Sequence, residues 1–385
     1  MDLATFEHLL TPAGQRLLAA VAEEPPDTSD LALGTRLRRE HPGELVAAAI
    51  TQQRLRAKAV AKLGPDAAHL YYTPDALEQA TRAPVARHRA EQLRDLGART
   101  VVDLGCGIGA DLIAFARAGL TVRGIEIDPL RAAIARGNLS ALGIDGQVEA
   151  GDALETPISE DEVAFVDPAR RDGSGRLTRL DQLTPPWEWI ARLLDGRAVA
   201  KVMPGIAHDA IPPGVGVEWV SDRGDLVEAC LWGAGWERPE RRATSLPSAE
   251  SISSRGVQAR LAPPRRFIVE PDDAVIRAGL VAELGERIDG GLLDPKIAYL
   301  TCDTPPSGNL GRWFEIVEEL PFRAKSLRAA LRERNLGTLT IKKRGVDIVP
   351  ERLIAQLKPT GDIPATLVVT RVAGKGRAFW VRPVR

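Results

Sequence analysis

Apolar residues recur along the first 90 positions with the spacing of helices. Between Thr5 and Val21 they fall three and four residues apart, which predicts an amphipathic helix. The segments from Leu31 to Arg38 and from Glu44 to Leu63 have the alanine, leucine and basic content of two further helices, with prolines between them. The pattern predicts a helical N-terminal module over residues 1–90.

From residue 91 onward, short apolar runs rich in β-branched residues alternate with helical patterns. This alternation favours a doubly wound α/β domain, in which each parallel strand leads into a helix that covers the sheet. A closing antiparallel pair of strands follows, and we expect the domain to span residues 91–236. The expected strands lie at 101–104, 121–126, around 148, 163–166, 198–204, 217–220 and 227–232.

Composition shifts towards Pro, Ser and Arg after residue 237. Residues 237–312 are predicted to be a connector that holds a capped helix from Pro271 to Leu284 and no catalytic chemistry. Residues 313–385 then resume an α/β pattern, with a basic amphipathic helix from Lys325 to Arg334 and a strand from Leu339 to Arg344. The last segment is therefore predicted to be a small, separate α/β domain.

The most informative stretch is VVDLGCGIGAD, from Val101 to Asp111. Gly105, Gly107 and Gly109 allow positive φ angles and let a ligand approach the main chain where a Cβ would collide. The N-terminus of the helix that follows favours an anionic ligand group. A nucleotide-like cofactor is predicted, and the turn alone does not exclude NAD, since Ala110 could replace the third glycine of a dinucleotide fingerprint.

Carboxylates follow several of the predicted strands. Asp103 lies two residues before the first glycine, where it can face the cationic part of a ligand. Glu126 ends the second strand, where a carboxylate can accept both ribose hydroxyls of an adenosine. Asp152 follows the third strand and Asp167 the fourth. Because ligands of open α/β sheets bind at the carboxyl ends of the strands, these four side chains are expected at one edge.

With these motifs in this order, residues from about Leu93 to Trp236 resemble the class I S-adenosylmethionine-dependent methyltransferases. The resemblance implies a Rossmann-like seven-stranded sheet and S-adenosylmethionine as the cofactor. It further implies the role of each cofactor-binding position. Asp103, Gly105 and Gly107 would border the methionine moiety, Glu126 would hold the ribose and Asp152 would face the adenine amino group, with Gly109, Ile127 and Ala153 completing the set.

The segment Asp167-Pro168-Ala169-Arg170 would lie where the methyl acceptor meets the cofactor, so these residues are the expected catalytic positions. It is similar to the Asn/Asp-Pro-Pro-aromatic motif of amino methyltransferases, but Ala169 and Arg170 replace the second proline and the aromatic ring. The similarity favours transfer to an exocyclic or ring nitrogen. Base stacking must then come from elsewhere. Tyr71 and Tyr72 either stack the acceptor or pack the helical module onto the sheet.

Two further residues in apolar strands have more than one interpretation. A buried Lys201 requires a partner or a route to solvent, so it lies either near the site or at the sheet edge. Cys230 could supply the thiolate nucleophile of a pyrimidine C5 methyltransferase. Inert packing is the alternative interpretation for a cysteine inside a strand.

The tail is strongly basic, although the whole chain has a net charge of only −1. From Leu320 to Arg385 there are fifteen Lys and Arg against four Asp and Glu, so this segment carries +11 and the remainder −12. The segment from Leu339 to Val346 makes the tail resemble the THUMP-like domain of some bacterial methyltransferases. Because THUMP domains proper bind RNA, this resemblance implies RNA binding indirectly. A solvated basic face is the alternative. The expected RNA contacts, on one surface, are Arg328, Arg332, Lys342, Lys343 and Arg344.

Composition limits the remaining possibilities. The chain has 385 residues, no apolar run long enough for a membrane helix and no signal-peptide pattern, so a cytoplasmic location is expected. Its three widely separated cysteines suggest neither a disulfide framework nor a metal site. The sequence predicts a methyltransferase acting on a base nitrogen of structured RNA. Two alternatives stay open: a small-molecule methyltransferase whose tail serves oligomerisation, and a non-catalytic RNA-binding protein.

Overall fold

The computed structural model describes residues 1–25, 27–170 and 180–384, with the backbone alone at positions 170 and 181. These residues form two compact units. The first comprises Met1–Val215 and Cys230–Arg238, and the second comprises Gly216–Ala229 and the chain from Pro239 onward. Among the described residues, no helix is both long and apolar enough to cross a membrane.

The first unit begins with the predicted helical module. The segment from Thr5 to Val21 is two helices rather than one, because the Thr11 hydroxyl accepts a hydrogen bond from the Gly14 N–H at 3.2 Å and Pro12 starts a new helix. The helices up to residue 95 are α1 (Leu3–Leu10), α2 (Pro12–Ala22), α3 (Asp30–Leu37), α4 (Gly43–Leu63), α5 (Pro74–Gln79) and α6 (Ala83–Asp95).

A parallel sheet follows, in the strand order β7-β4-β1-β2-β3, and the end of β9 from Cys230 onward lies next to β7. The sheet is Rossmann-like, as expected from the sequence. The strands up to residue 232 are β1 (Thr100–Leu104), β2 (Thr121–Glu126), β3 (Gln147–Ala150), β4 (Glu162–Val166), β5 (Ala169–Arg170), β6 (Leu183–Thr184), β7 (Ala198–Val202), β8 (Gly216–Asp222) and β9 (Asp225–Trp232). Of these, β5 and β6 form a separate two-stranded sheet, and β8 and the first part of β9 belong to the second unit.

Helices α7 (Ala110–Arg117), α8 (Pro129–Ala141) and α9 (Trp187–Leu193) connect these strands. Asp128 caps α8: its carboxylate accepts from the N–H groups of Leu130 and Arg131, and Pro129 takes the first helical position. One apolar core joins the helical module to the sheet and contains Phe6, Leu112 and Phe165. The N-terminal helices are thus packed onto the domain whose strand ends carry the carboxylates.

The second unit contains more strands than the sequence suggested, and several lie in the segment expected to be a connector. The expected domain boundary at 312/313 falls inside β15. The helices are α10 (Asp273–Arg277), α11 (Val281–Arg287), α12 (Ala324–Glu333) and α13 (Pro350–Leu357). The strands are β10 (Arg241–Leu246), β11 (Glu250–Ser253), β12 (Phe267–Pro271), β13 (Gly291–Asp294), β14 (Ile297–Cys302), β15 (Gly311–Leu320), β16 (Leu336–Arg344), β17 (Ile363–Val372) and β18 (Lys375–Val384).

Strands β12 to β18 make one sheet in the order β13-β14-β12-β15-β18-β17-β16. Its two faces pack in separate cores. Leu327 and Leu331 of α12 pack with Val369 in one core, whereas Tyr299 and Phe314 pack with Val368 in the other. Since successive residues of a strand point to opposite faces, neighbouring positions of β16 belong to different surfaces.

Candidate active site and cofactor site

The carboxyl ends of β1, β2 and β4 meet at one edge of the first sheet. Leu104 is in register with Ile125 on one side and with Val166 on the other. Glu126 and Asp167 therefore emerge beside the glycine-rich turn that follows β1. Parallel pairing alone brings these groups together, as the sequence predicted.

Asp103 is the most deeply buried carboxylate of this edge. Its side chain is 2% exposed, and its Oδ1 atom has no hydrogen-bond partner among the described residues. Burial raises the pKa of Asp103 well above its ordinary value, and the nearby carboxylates of Asp111 and Asp167 raise it further. A buried oxygen without a donor requires one, and a cationic ligand group supplies it. The ammonium group of S-adenosylmethionine, which carries both the positive charge and N–H donors, fits this environment.

Glu126 is held by the backbone in an orientation that leaves capacity for a ligand. Its Oε2 accepts from the Gly107 N–H at 2.8 Å, and its Oε1 accepts from the Asp128 N–H at 3.0 Å. Each carboxylate oxygen can accept a second hydrogen bond. Two ribose hydroxyls match this remaining capacity, so Glu126 fits the position that the sequence assigned to it.

The glycine-rich turn leaves room where a ligand would approach. Gly107 has a φ of +57°, and a Cβ built there meets no atom within 4 Å. Gly105 (φ +97°) and Gly109 (φ +83°) also lie in the left-handed region. Gly109 precedes the first turn of α7 as its N-cap. The backbone at Gly107 is therefore open to a ligand.

Beyond the ribose position, two turns offer apolar and polar groups. Ile127 is 70% exposed and Leu154 is 47% exposed, so both present apolar surface here. The Asp152 carboxylate accepts from the Leu154 N–H at 2.9 Å and starts a short 3₁₀ helix at Ala153. An adenine ring would cover apolar surface here, with a carboxylate near its amino group.

The segment predicted to be catalytic starts at this edge. Asp167 and Pro168 are half-buried and Ala169 is exposed. Ala169 and Arg170 form the short strand β5, which pairs with β6. The side chain of Arg170 lies outside the described residues. Asp167 is therefore the described side chain of this motif that can accept a hydrogen bond from an acceptor.

Lys201 lies beside this motif. Of the two positions that the sequence left open, near the site or at the sheet edge, the structure shows the first. Its Nζ is 2.5 Å from Asp167 Oδ2 and donates to the Thr81 hydroxyl at 3.1 Å. The Thr81 hydroxyl in turn donates to Asp111 Oδ2 at 2.8 Å, and Asp111 also pairs with the buried Arg89. A charged residue inside an apolar strand was the only sequence signal for this network. Nothing in the sequence indicated that Thr81 and Arg89 take part.

The tyrosines proposed to stack the acceptor are core residues instead. Tyr71 is 4% exposed and Tyr72 is 1% exposed. The Tyr71 hydroxyl contacts Gln15, its ring meets Phe6 edge-on at 5.4 Å, and the Tyr72 hydroxyl donates to the Ala67 carbonyl. The packing alternative is therefore correct, because a ring buried on both faces cannot stack a base. Cys230 is likewise buried inside β9.

The five basic residues of the tail do not share one surface, and that expectation was wrong. Lys342 is in register with Val368 and Lys343 with Val369, so the two side chains point to opposite faces of the sheet. Lys342 pairs with Glu270 at 2.8 Å, and Arg344 lies 3.9 Å from the same carboxylate. Among the described residues, Arg328, Arg332 and Lys343 form no ion pair.

No cluster of three or more potential metal ligands occurs in the described part of the chain.

Three family models match separate segments. The model described as a methyltransferase domain matches residues 101–167, the one described as THUMP domain-like matches 311–383, and a domain of unknown function matches 2–59.

Relatives extend the similarity to most of the chain. Two proteins of Mycobacterium tuberculosis, from strains CDC 1551 / Oshkosh and ATCC 25618 / H37Rv, are each 39% identical over 352 residues, which covers 86% of this chain and 95% of the relative. Both are named as uncharacterized S-adenosylmethionine-dependent methyltransferases.

A solved structure shows the same fold. A protein of Porphyromonas gingivalis W83, provisionally named a methyltransferase, has a TM-score of 0.78 at 22% identity, covering 96% of this chain and 99% of that one. Because the strand-end site, the family matches and the 39% identity agree, the chain belongs to the class I S-adenosylmethionine-dependent methyltransferases, with S-adenosylmethionine as its cofactor and a THUMP-like domain over residues 311–383.

Proposed function

We propose that this enzyme transfers the methyl group of S-adenosylmethionine to a nitrogen of a base in structured RNA. The observation that carries the RNA assignment is the THUMP domain-like match over residues 311–383, on a segment with a large excess of positive charge. Phosphate contacts from Lys and Arg supply most of the affinity of proteins for nucleic acids.

Among the structural features of the tail, helix α12 gives the strongest support to this proposal. Arg328 and Arg332 lie four residues apart, so they project from one flank of the helix, while Leu327 and Leu331 face the core. Neither arginine is neutralised by a carboxylate among the described residues. Lys343 is exposed on the face of the sheet that α12 covers. We assign the phosphate contacts to these three residues, whereas Lys342 and Arg344 have Glu270 as a competing partner.

The site geometry supports a set of cofactor contacts. Glu126 accepts the ribose hydroxyls, Asp103 neutralises the cationic end of the cofactor, and the open backbone at Gly107 admits it closely. Ile127 and Asp152 border the adenine, with Gly105, Gly109 and Ala153 shaping the turns around it. The cofactor, when bound, supplies a methyl group on a positively charged sulfur.

Asp167 carries the acceptor side of the reaction. Its carboxylate accepts a hydrogen bond from an N–H of the acceptor, which directs the nitrogen lone pair towards the methyl group and stabilises the positive charge that develops on nitrogen. Pro168 and Ala169 place the backbone of the same turn beside the acceptor. The similarity of Asp167-Pro168 to the motif of amino methyltransferases supports nitrogen as the acceptor atom.

The experiment is a transfer assay with full-length enzyme and S-adenosylmethionine labelled in its methyl group. RNA from cells that lack the protein and a small-molecule extract of the same cells are offered separately. We expect label in RNA and, after digestion, in a nucleoside methylated on a base nitrogen. Label confined to the small-molecule fraction would support the small-molecule alternative. RNA binding without transfer to either fraction would support the non-catalytic one.

A further inference from the structure

The pairing of β4 with β7 places a lysine next to Asp167. Val166 is in register with Ala200, so the residues that follow them, Asp167 and Lys201, leave the sheet side by side. The side chain of Lys201 is 18% exposed and that of Asp167 is 33% exposed. Their contact is thus partly shielded from water, where an ion pair is stronger than on an open surface.

Lys201 is itself fixed by a chain of polar contacts. Its second hydrogen bond goes to Thr81, which is 5% exposed and donates onward to Asp111. Arg89, 2% exposed, pairs with the other oxygen of Asp111 and lies over the Phe165 ring at 4.8 Å. A lysine side chain loses up to about 2 kcal/mol of rotamer entropy when it is immobilised. The contacts of Lys201 with Asp167 and Thr81, which continue through Asp111 to Arg89, offset this entropic cost.

We propose that Lys201 is a positioning residue for methyl transfer. It holds Oδ2 of Asp167, which leaves Oδ1 to accept the hydrogen bond from the methyl acceptor, and Thr81 and Asp111 hold Lys201 in turn. The proposal rests on the role proposed above for Asp167. It assigns to Lys201 neither a contact with the cofactor nor a proton transfer.

The charges of the site explain why such a residue is needed. Asp167 shares this edge with Asp103, Asp111 and Glu126, and its charge raises the pKa of Asp103. Without the Lys201 ammonium, repulsion would turn the Asp167 carboxylate towards solvent. Since a displacement of 1 Å in a reacting geometry can lower a rate about 100-fold, loss of Lys201 should lower turnover strongly without changing cofactor affinity.

A second lysine provides a readout that needs no substrate. Lys62 donates to the carbonyls of Leu77 and Glu78, in the segment that leads to Thr81. Burial lowers the pKa of Lys62 to about 8, and the positive charges of Lys201, Arg82 and Lys58 contribute, against the opposing charge of Glu78. Removing the charge of Lys201 should therefore raise the pKa of Lys62.

The kinetic test is a double-mutant cycle between Lys201→Met and Asp167→Asn in the full-length enzyme, measured on whichever fraction of the cell extract accepts label. We expect each single variant to lower kcat about 100-fold, with S-adenosylmethionine affinity within about twofold of wild type. The double variant should be little worse than either single one, because both break the same contact. Lys201→Arg, which can restore the ion pair, should recover most of the lost kcat.

Several results would overturn the proposal: additive losses in the cycle, loss of cofactor affinity in Lys201→Met, or no effect of either single variant. Label in small molecules instead of RNA would refute the proposed acceptor and leave the cycle measurable. If no fraction accepts label, NMR titration of the lysine side chains decides. The pKa of Lys62 should rise clearly in Lys201→Met and only slightly in the control Lys58→Met. Equal shifts would show that Lys201 does not occupy the position on which the proposal depends.

Discussion

The carboxylate edge of the first unit and the basic residues of the second unit use charge in different ways. At the carboxylate edge, the partners of Glu126 are backbone N–H groups, and Asp103 keeps an oxygen with no partner among the described residues. Among the basic residues of the tail, Lys342 and Arg344 share the carboxylate of Glu270. The first arrangement leaves hydrogen-bonding capacity for a ligand, whereas the second already satisfies two of its cations.

The largest effect on binding that we expect at the carboxylate edge concerns Glu126. In Glu126→Ala the two ribose hydroxyls lose a charged acceptor, and hydrogen bonds to charged groups contribute about 1.5–3 kcal/mol. The dissociation constant of S-adenosylmethionine should therefore rise at least about tenfold in calorimetry. Glu149→Ala, an exposed position of β3, is the matched control and should bind as wild type does. Equal affinities of the two variants would remove Glu126 from the cofactor site.

A smaller expected effect distinguishes a loss of S-adenosylmethionine binding at the open backbone from a loss of stability caused by backbone strain. Gly107 (φ +57°) and Gly143 (φ +63°) both have open space at the position of a Cβ, but only Gly107 belongs to the glycine-rich turn. Each Gly→Ala variant should lose about 1 kcal/mol of stability, because alanine is strained at positive φ. Only Gly107→Ala should also weaken S-adenosylmethionine binding, by several-fold.

Thermal unfolding and calorimetry on the same two variants make this comparison. If Gly143→Ala weakened binding as much as Gly107→Ala does, the loss would reflect general destabilisation. The open backbone at Gly107 would then have no special part in cofactor binding.

The site in the first unit could be predicted because local pattern and topology determine it together. Asp103 and Glu126 lie near the carboxyl ends of recognisable strands, and parallel pairing brings strand ends to one edge regardless of the details of packing. Helix caps are predictable for the same reason, because each acts within three residues of itself. Thr73 caps α5 by accepting from the Ala76 N–H, and Asp128 caps α8. The Lys201 network was not, because Thr81 is 120 residues away from its partner.

The second unit was less predictable because its contacts are less local. The segment 237–312 contains strands that pair with positions far along the chain, such as β12 with β15, and short strands among Pro and Arg residues carry little periodic signal. The prediction that the basic residues share one surface was wrong at Lys342 and Lys343 for a simpler reason. Adjacent residues of a strand point to opposite faces, and only the fold reveals that Glu270 lies within reach of Lys342.

We propose that RNA is held by the flank of α12 and not by the cations next to Glu270. This claim is tested most directly by the salt dependence of RNA affinity in two double variants of the full-length protein. Arg328→Ala with Arg332→Ala should weaken binding and reduce the slope of log affinity against log salt by up to about 1.4–1.8, for two lost phosphate contacts. Lys342→Ala with Arg344→Ala should change the slope much less. The reverse order, or no change in either variant, would contradict the account.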